Sequence, residues 1–269
     1  MLQQLFHILI VSIVCIIWGI PIILIAGKSA TVIQRWWYSG WSCLAFLFFC
    51  GCLSLSVISS WLYLFMPLHY SVLAVLTLLL LLILIIFFKQ KILSLLKVQQ
   101  NFSFRINSVF LIFIVPTLVT FLVLSTLQPV HGDTQIYHLQ IIRWQTEYRV
   151  VPGIANLFPR FGLGSNWFNL ISLFYFPWFK NETFSYLNAA LAGWFFIWLF
   201  SAWHFHYQKF QQSTANRILS LFYFLILLFS LYDWQLFRDT ANSTNYDFVV
   251  NAFIILVFSF FLERILQNE

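Results

Sequence analysis

Residues 70–88 read YSVLAVLTLLLLLILIIFF, a run that contains no charged side chain. A helix needs about 20 apolar residues to cross the hydrocarbon core of a bilayer, and this run has nearly that length. Six further apolar runs are candidate spans, at residues 5–26, 41–62, 106–127, 184–206, 217–232 and 247–262. The pattern predicts an all-α fold, a polytopic bundle of transmembrane helices.

The composition favours the same environment. Hydrophobic residues make up 61% of the 269 residues and charged residues only 8%, whereas a soluble domain is about 25% charged. So few polar groups could not cover 33 Phe and 12 Trp in water. A soluble globular domain, a disordered chain and a small disulfide scaffold are therefore excluded, and we expect residues 1–269 to form a single integral membrane domain.

The charges are distributed unevenly along the chain. Residues 1–132 contain no Asp or Glu but six Lys or Arg, and the densest basic segment runs from Lys89 to Arg105. Because basic loops stay preferentially in the cytoplasm, this segment predicts a cytoplasmic loop. Counting spans from it places residues 128–166 on the outer side of the cytoplasmic (inner) membrane.

An eighth apolar segment, residues 167–179, is short, rich in aromatic residues and interrupted by a proline. If this segment crossed the membrane, Lys209 and Arg217 would lie outside. If it dips into the outer leaflet and returns, both residues lie in the cytoplasm, together with Glu263 and Arg264. We favour the second arrangement because it obeys the positive-inside rule.

Three other features limit the function. All four cysteines lie in apolar runs with no His or second Cys pair at metal spacing, so we expect small buried residues and no metal site or cofactor. The basic residues form no continuous face, which argues against nucleic acid. The first apolar run lacks a basic leader and a cleavage site, so we expect a retained span rather than a signal peptide.

The outer loop, residues 128–166, contains HGDTQIYHLQIIRWQTEYRVVPGIANLFPRFGLGSN from residue 131. Aromatic and apolar residues recur there at helical spacing, at Tyr137, Ile141, Trp144 and Tyr148. This stripe predicts an amphipathic helix of about four turns that lies along the membrane surface, with its rings at headgroup level. Pro152 and Gly153 would end the helix.

Several side chains of this loop have both a functional and a structural interpretation. Asp133, just beyond a span, is either a catalytic base or the N-cap of the helix. His131 and His138 are either ligands or surface and interface residues. The arginines bind either substrate phosphate or anionic lipid headgroups, and they are Arg143, Arg149 and Arg160. A carboxylate with several arginines at a membrane surface suits chemistry on a lipid-borne phosphate substrate.

Three stretches of the loop, DTQIYHL (133–139), VPGIANL (151–157) and RFGLGSNWF (160–168), resemble the first outer loop of GT-C polytopic glycosyltransferases. More narrowly, they resemble a group of poorly characterised bacterial membrane proteins usually assigned to that superfamily. The resemblance implies a transferase that uses a sugar carried on a polyprenyl phosphate. In such families an acidic residue of the first outer loop acts as base toward the acceptor, and Asp133 is the matching position.

The resemblance also implies a second outer loop with polar residues, here 233–246, and Asp247 follows it. It implies substrate binding by His131, Tyr137, His138, Arg143, Arg149, Arg160, Asp239 and Asp247. The expected partners are a lipid-linked sugar donor, a saccharide, lipid or protein acceptor, and membrane lipid. Fewer spans follow the first loop than in the usual GT-C core, so we expect the chain to be incomplete and inactive alone.

Two classes of function stay open. In the first, an inverting glycosyltransferase, Asp133 deprotonates the acceptor and the arginines stabilise the leaving phosphate. In the second, the protein is a non-catalytic subunit, carrier or transporter for lipid-linked saccharides; a polysaccharide polymerase or ligase is a further alternative. Ion-coupled transport would favour acids inside the membrane, and the first four predicted spans contain none.

Overall fold

The computed structural model describes residues 2–26, 38–91, 108–127, 132–162, 164–176, 186–232 and 241–266. Within these ranges the chain forms helices, turns and loops, and no strand. The α-helices are α1 (Leu2–Ala26), α2 (Gly40–Tyr63), α3 (Tyr70–Phe87), α4 (Ser108–Leu124), α5 (Leu139–Glu147), α6 (Asn166–Leu173), α7 (Tyr186–Gln208), α8 (Thr214–Tyr232) and α9 (Asp247–Leu266).

Six of these helices, α1, α2, α3, α7, α8 and α9, are long and apolar enough to cross a membrane. The shorter α4 occupies the seventh predicted run. Each predicted run therefore forms a helix, and the expectation of an all-α polytopic bundle is confirmed. The protein is a multi-pass membrane protein.

The short helix α6 begins and ends at the same end of the bundle. At its start, the Trp167 indole donates a 2.7 Å hydrogen bond to Asn188, near the start of α7. Just after its end, the Phe174 carbonyl oxygen lies 2.9 Å from His7 Nε2, near the start of α1. Eight residues of helix span only about 12 Å, so α6 does not cross the bilayer.

The contacts between elements define two ends of the bundle. At the loop end, the backbone N–H of Val150 donates to the carbonyl of Tyr63 at the end of α2 (3.1 Å). The Asn188 amide there donates to the carbonyl of Asn245, just before α9 (2.7 Å). At the opposite end, His206 near the end of α7 contacts Glu263 near the end of α9. Successive long helices therefore run in alternating directions.

Helices α1 and α2 pack with their backbones almost in contact. A Cβ atom built on Gly51 would lie 1.7 Å from the Cys15 carbonyl oxygen, and one on Gly19 would lie 2.0 Å from that of Leu47. In a bilayer, helices associate through such close packing because lipid tails are as apolar as the side chains. All four cysteines are buried, as the sequence predicts.

The helix of the 128–166 loop is shorter than the helix that the aromatic stripe predicts. A π-helical turn, Thr134–His138, leads into α5, which ends at Glu147 rather than at Pro152. Tyr148 is extended and exposed, so it does not continue the stripe. The buried face of α5 includes Ile142 and Gln145, because the helix packs against α6. There the Ser172 hydroxyl donates a hydrogen bond to the Gln145 amide oxygen at 2.8 Å.

Candidate functional site

The carboxylate of Asp133 is held by two side chains of the 128–166 loop, Tyr137 and Arg160. Its Oδ1 accepts a hydrogen bond from Arg160 Nη1 at 3.0 Å, and its Oδ2 accepts one from the Tyr137 hydroxyl at 3.4 Å. The side chains of Asp133 and Arg160 are 42% and 50% exposed. Asp133 makes no side-chain capping bond to the helical turn that follows, so its interpretation as an N-cap is wrong.

Local backbone geometry brings Arg160 back to Asp133 across 27 residues. Gly153 has φ 80°, a left-handed conformation that glycine adopts without steric cost. Two 3₁₀ turns follow, Ile154–Asn156 and Pro159–Gly162, and the second carries Arg160. The adjacent Phe161 ring packs against Trp144 of α5 with centroids 4.8 Å apart, which anchors the returning chain to the helix.

Tyr137 is buried and completes the group. The Arg160 guanidinium lies 5.8 Å from the centre of its ring, within the range of a cation–π contact. Burial of the phenol raises the pKa of Tyr137, the Asp133 charge raises it further, and Arg160 opposes the shift. Tyr137 therefore stays protonated at neutral pH and donates to the carboxylate.

His138 joins the 128–166 loop to the loop that precedes α9. Its ring is buried, and Nδ1 lies 3.0 Å from the hydroxyl of Thr244 in the second loop. The backbone N–H of Thr244 donates to the Thr134 hydroxyl at 3.4 Å, and the His138 ring lies 4.6 Å from that of Phe168 on α6. This position favours an interface histidine over a solvent-exposed ligand.

Three other predicted site residues, Arg143, Arg149 and Asp247, lie in the described part of the chain. Arg143 is half-buried on α5 and Arg149 is exposed after its end. Asp247 is exposed at the start of α9, where its carboxylate accepts from the Asn245 amide at 3.1 Å. Among the described residues, no hydrogen bond or ion pair joins these three to Asp133. His131 and Asp239 lie outside the described residues.

Sequence reasoning missed the buried amide of Asn188. Its oxygen accepts from the Trp167 indole, and its nitrogen donates to the backbone carbonyl of Asn245. One side chain thus connects α6, α7 and the loop that precedes α9. The sequence does contain a signal for this contact, since Asn188 is an amide inside the apolar run YLNAALAG (186–193). Buried polar groups need hydrogen-bond partners, so such an amide indicates a contact with another element.

An apolar groove of about 630 Å³ lies between α2 and α9, and we call it the α2/α9 groove. Its loop end is formed by Ser165, Trp167 and Tyr246. The Tyr246 ring lies 6.4 Å from that of His138 and 5.8 Å from that of Phe168. Along α9 the lining includes large side chains that are also exposed on the bundle surface, Val250, Ile254, Val257, Phe258 and Phe261. The groove is therefore open sideways.

The arrangement joins two chemical environments. The half-exposed ion pair of Asp133 and Arg160 can accept a proton and bind an anion. Tyr137 and His138 connect it to the loop end of an apolar groove long enough to run down α9. Within the described part of the chain, no group of three or more His, Cys, Asp or Glu is placed to hold a metal ion.

Comparison with known proteins gives a family but no activity. No curated protein matches the chain significantly, and no solved structure does so. Residues 1–269 match the family described as Domain of unknown function (DUF8201). Because the match covers the whole chain, this protein belongs to the DUF8201 family.

Proposed function

We propose that this protein is a membrane glycosyltransferase of the GT-C type. It transfers a sugar from a polyprenyl-phosphate donor to an acceptor at the outer face of the cytoplasmic membrane, with Asp133 as base. The observation that supports the proposal is the Asp133–Arg160 pair beside the loop end of the α2/α9 groove. A lipid-linked sugar has the complementary parts, an anionic phosphate and a long hydrocarbon chain.

Arg160 is the proposed phosphate ligand. An ion pair between half-exposed side chains contributes only about 0–1 kcal/mol, so a phosphate can displace Asp133 from the guanidinium. The planar guanidinium then donates two parallel hydrogen bonds to phosphate oxygens. Donor binding thereby frees Asp133 Oδ1, while the Tyr137 hydroxyl keeps hold of Oδ2.

Asp133 then acts on the acceptor. Its free oxygen takes the proton of an acceptor hydroxyl, and the hydroxyl oxygen attacks the anomeric carbon of the sugar. The bond between that carbon and the phosphate oxygen breaks, and its electron pair stays on the phosphate. Arg160 stabilises the charge that develops there, and direct displacement inverts the anomeric centre.

The α2/α9 groove positions the hydrocarbon chain of the donor. The chain is in an apolar environment both in the bilayer and in the groove, so the transfer yields little hydrophobic free energy. The groove therefore contributes orientation rather than affinity. Because its loop end is formed by Ser165, Trp167 and Tyr246, a chain in the groove would present its phosphate beside the outer loops.

The basic residues support the proposed orientation. Lys89 and Lys91 follow the end of α3, and Lys209 and Arg217 lie around the turn between α7 and α8. All four are at the opposite end of the bundle from the outer loops. The positive-inside rule favours a cytoplasmic position for that end, and the Asp133 group is then on the outer side.

The test uses a deletion strain that carries empty vector, the wild-type gene, Asp133→Asn or Glu147→Gln. The control residue Glu147 is an exposed carboxylate at the end of α5. We expect deletion to remove a surface glycan, and wild type and Glu147→Gln to restore it. Asp133→Asn should reach the membrane in equal amounts but fail to restore the glycan, because an amide cannot take the proton.

Restoration by Asp133→Asn would contradict the role of Asp133 as base. It would favour the alternative class, a non-catalytic carrier, transporter or subunit that binds lipid-linked saccharides in the open groove. A glycan profile that stays unchanged in the deletion strain would contradict both.

A further inference from the structure

The loop end of the α2/α9 groove carries hydroxyl groups as well as rings. Tyr246 lies just before α9 and Ser165 just before α6, and both side chains line the groove together with Trp167. Along α2 and α9 the lining is mainly apolar. A ligand that fills the groove therefore has its apolar part along the helices and its polar part at the loop end.

The position of the Tyr246 ring is fixed by contacts with two other elements. Its centroid lies 5.8 Å from that of Phe168 on α6, in an edge-to-face arrangement, and 6.4 Å from that of His138. Two residues earlier, the Thr244 hydroxyl lies 3.0 Å from His138 Nδ1. The loop that precedes α9 is thus held against the 128–166 loop at the point where Tyr246 enters the groove.

The Tyr246 hydroxyl is also a neighbour of Tyr137. Burial is the main cause that raises the pKa of the Tyr137 phenol, and Asp133 and Tyr246 raise it further. Electrostatic effects of this kind weaken with distance, so the two phenols lie near each other. The Tyr137 hydroxyl in turn donates to Asp133, and the Arg160 guanidinium lies over the Tyr137 ring. Tyr246 therefore connects the groove with the group that contains Asp133 and Arg160.

Ser165 supplies a second hydroxyl at the same place. Its Oγ accepts a hydrogen bond from the backbone N–H of Trp167 at 3.2 Å, as the N-cap of α6. That bond uses a lone pair of the oxygen, and a serine hydroxyl also has one O–H donor. Hydroxyl donors form short and strong hydrogen bonds with anionic oxygens, so Ser165 and Tyr246 both suit a phosphate.

We propose that the loop end of the α2/α9 groove is a binding site for the phosphate of a lipid, with Tyr246 and Ser165 as hydrogen-bond donors. The proposal deepens the proposed function and rests on it for the place of the hydrocarbon chain. While the chain lies along α9, Tyr246 holds the phosphate beside the group that contains Arg160. The ligand class is a polyprenyl phosphate, and a neutral polyprenol of the same length binds less well.

The experiment compares two lipids that differ only in the phosphate. The purified protein in mild detergent receives an equimolar mixture of undecaprenyl phosphate and undecaprenol, and native mass spectrometry measures how much protein carries each lipid. We expect wild type to carry mostly undecaprenyl phosphate. Excess inorganic phosphate should not displace it, because a free phosphate lacks the chain that the groove positions.

Tyr246→Phe keeps the ring, with its contacts to Phe168 and His138, but removes the hydroxyl. We expect the ratio of bound undecaprenyl phosphate to bound undecaprenol to fall about tenfold, as for the loss of one hydrogen bond to a charged group. The matched control is Tyr148→Phe, since Tyr148 is 55% exposed in the 128–166 loop and is not part of the groove lining. Its ratio should equal that of wild type.

Ser165→Asp is a second variant, which replaces Tyr246→Phe if that protein does not fold. Asp caps a helix about as well as Ser does, so α6 should be retained. The added carboxylate repels a phosphate, and the ratio should therefore fall below that of wild type.

Equal binding of the two lipids by wild type, or an unchanged ratio in Tyr246→Phe, would overturn the proposal. Displacement by inorganic phosphate would also overturn it, since the site would then take a free anion. No sugar is transferred in these mixtures, so the result is separate from the glycan test of Asp133. An unchanged ratio together with an inactive Asp133→Asn would contradict the phosphate site alone, and a lowered ratio together with an active Asp133→Asn would contradict the base alone.

Discussion

The Asp133 carboxylate has two side-chain contacts, and one of them can be exchanged for another ligand. Arg160 and Tyr137 each bind a different oxygen of it, but only Tyr137 is buried. The buried hydroxyl is the fixed contact, and because its pKa is raised, it remains a donor at any physiological pH. The exposed guanidinium is the contact that an anion can take over.

Arg160→Gln tests the proposed role of Arg160 as the phosphate ligand. Gln can still donate a hydrogen bond but has no charge to stabilise the leaving phosphate of the proposed reaction. We expect the rate of glycan formation in the deletion strain to be about 10²–10³-fold lower with this variant than with wild type. A loss of this size follows the removal of one donor to a developing oxyanion. Lys209→Gln, which removes a charge at the opposite end of the bundle, should restore the glycan as wild type does. Equal restoration by both variants would contradict the role of Arg160.

The Asp133 group also shows which parts of the site the sequence predicts and which it does not. The residue types of the loop indicated Asp133 and Arg160 as candidate site residues, and the resemblance to GT-C enzymes added Tyr137. Which arginine meets the carboxylate depends on the turn at Gly153 and on the packing of Phe161 against Trp144. Those are contacts across the loop, and no spacing along the chain indicates them.

At the scale of the helices, apolar runs predicted every long element because membrane spans have a fixed length. Their packing could not be predicted in this way, since each face of such a helix is apolar. The close approach of α1 and α2 depends on Gly19 and Gly51, residues that hydropathy treats as neutral. The contacts of Asn188 and the contact between His206 and Glu263 could not be predicted for a related reason. A single polar residue in an apolar run does not indicate which residue it will contact.

Gly51→Ala tests this packing. A methyl group at Gly51 would overlap the backbone carbonyl of Cys15, which cannot move without displacing α1. We expect the unfolding free energy in detergent to fall by about 1–3 kcal/mol or more, as for other overpacked cores. Gly164→Ala is the control because a Cβ atom there meets no atom within 4 Å. A Gly51→Ala protein as stable as the control would mean that α1 and α2 are less closely packed.

At the scale of the whole molecule, the path of the chain depends on α6. Because α6 returns to the end where it began, the starts of α1, α7 and α9 all lie at the loop end. The charge pattern predicts this return, because only a dip of residues 167–179 keeps Lys209 and Arg217 on the same side as the other basic residues. The contacts of Trp167 with α7 and of Phe174 with α1 agree with this return.

Cysteine labelling tests the orientation. Leu157→Cys lies in the loop proposed to be outside and replaces a residue that is 77% exposed. Ser213→Cys lies in the exposed turn between α7 and α8. We expect a membrane-impermeant maleimide to label Leu157→Cys in intact cells and Ser213→Cys only after the membrane is opened. Wild type provides the background, as its four cysteines are buried. The reverse pattern would place Asp133 in the cytoplasm.

The sideways opening of the α2/α9 groove also fixes how its occupancy must be measured. A long-chain molecule enters such a groove from the surrounding leaflet by lateral diffusion, without passing through water. Its effective concentration is a surface density, the number of molecules per lipid. Diluting the sample with buffer leaves occupancy unchanged, whereas diluting the membrane with inert phospholipid lowers it. Binding curves for this protein therefore need a mole-fraction axis.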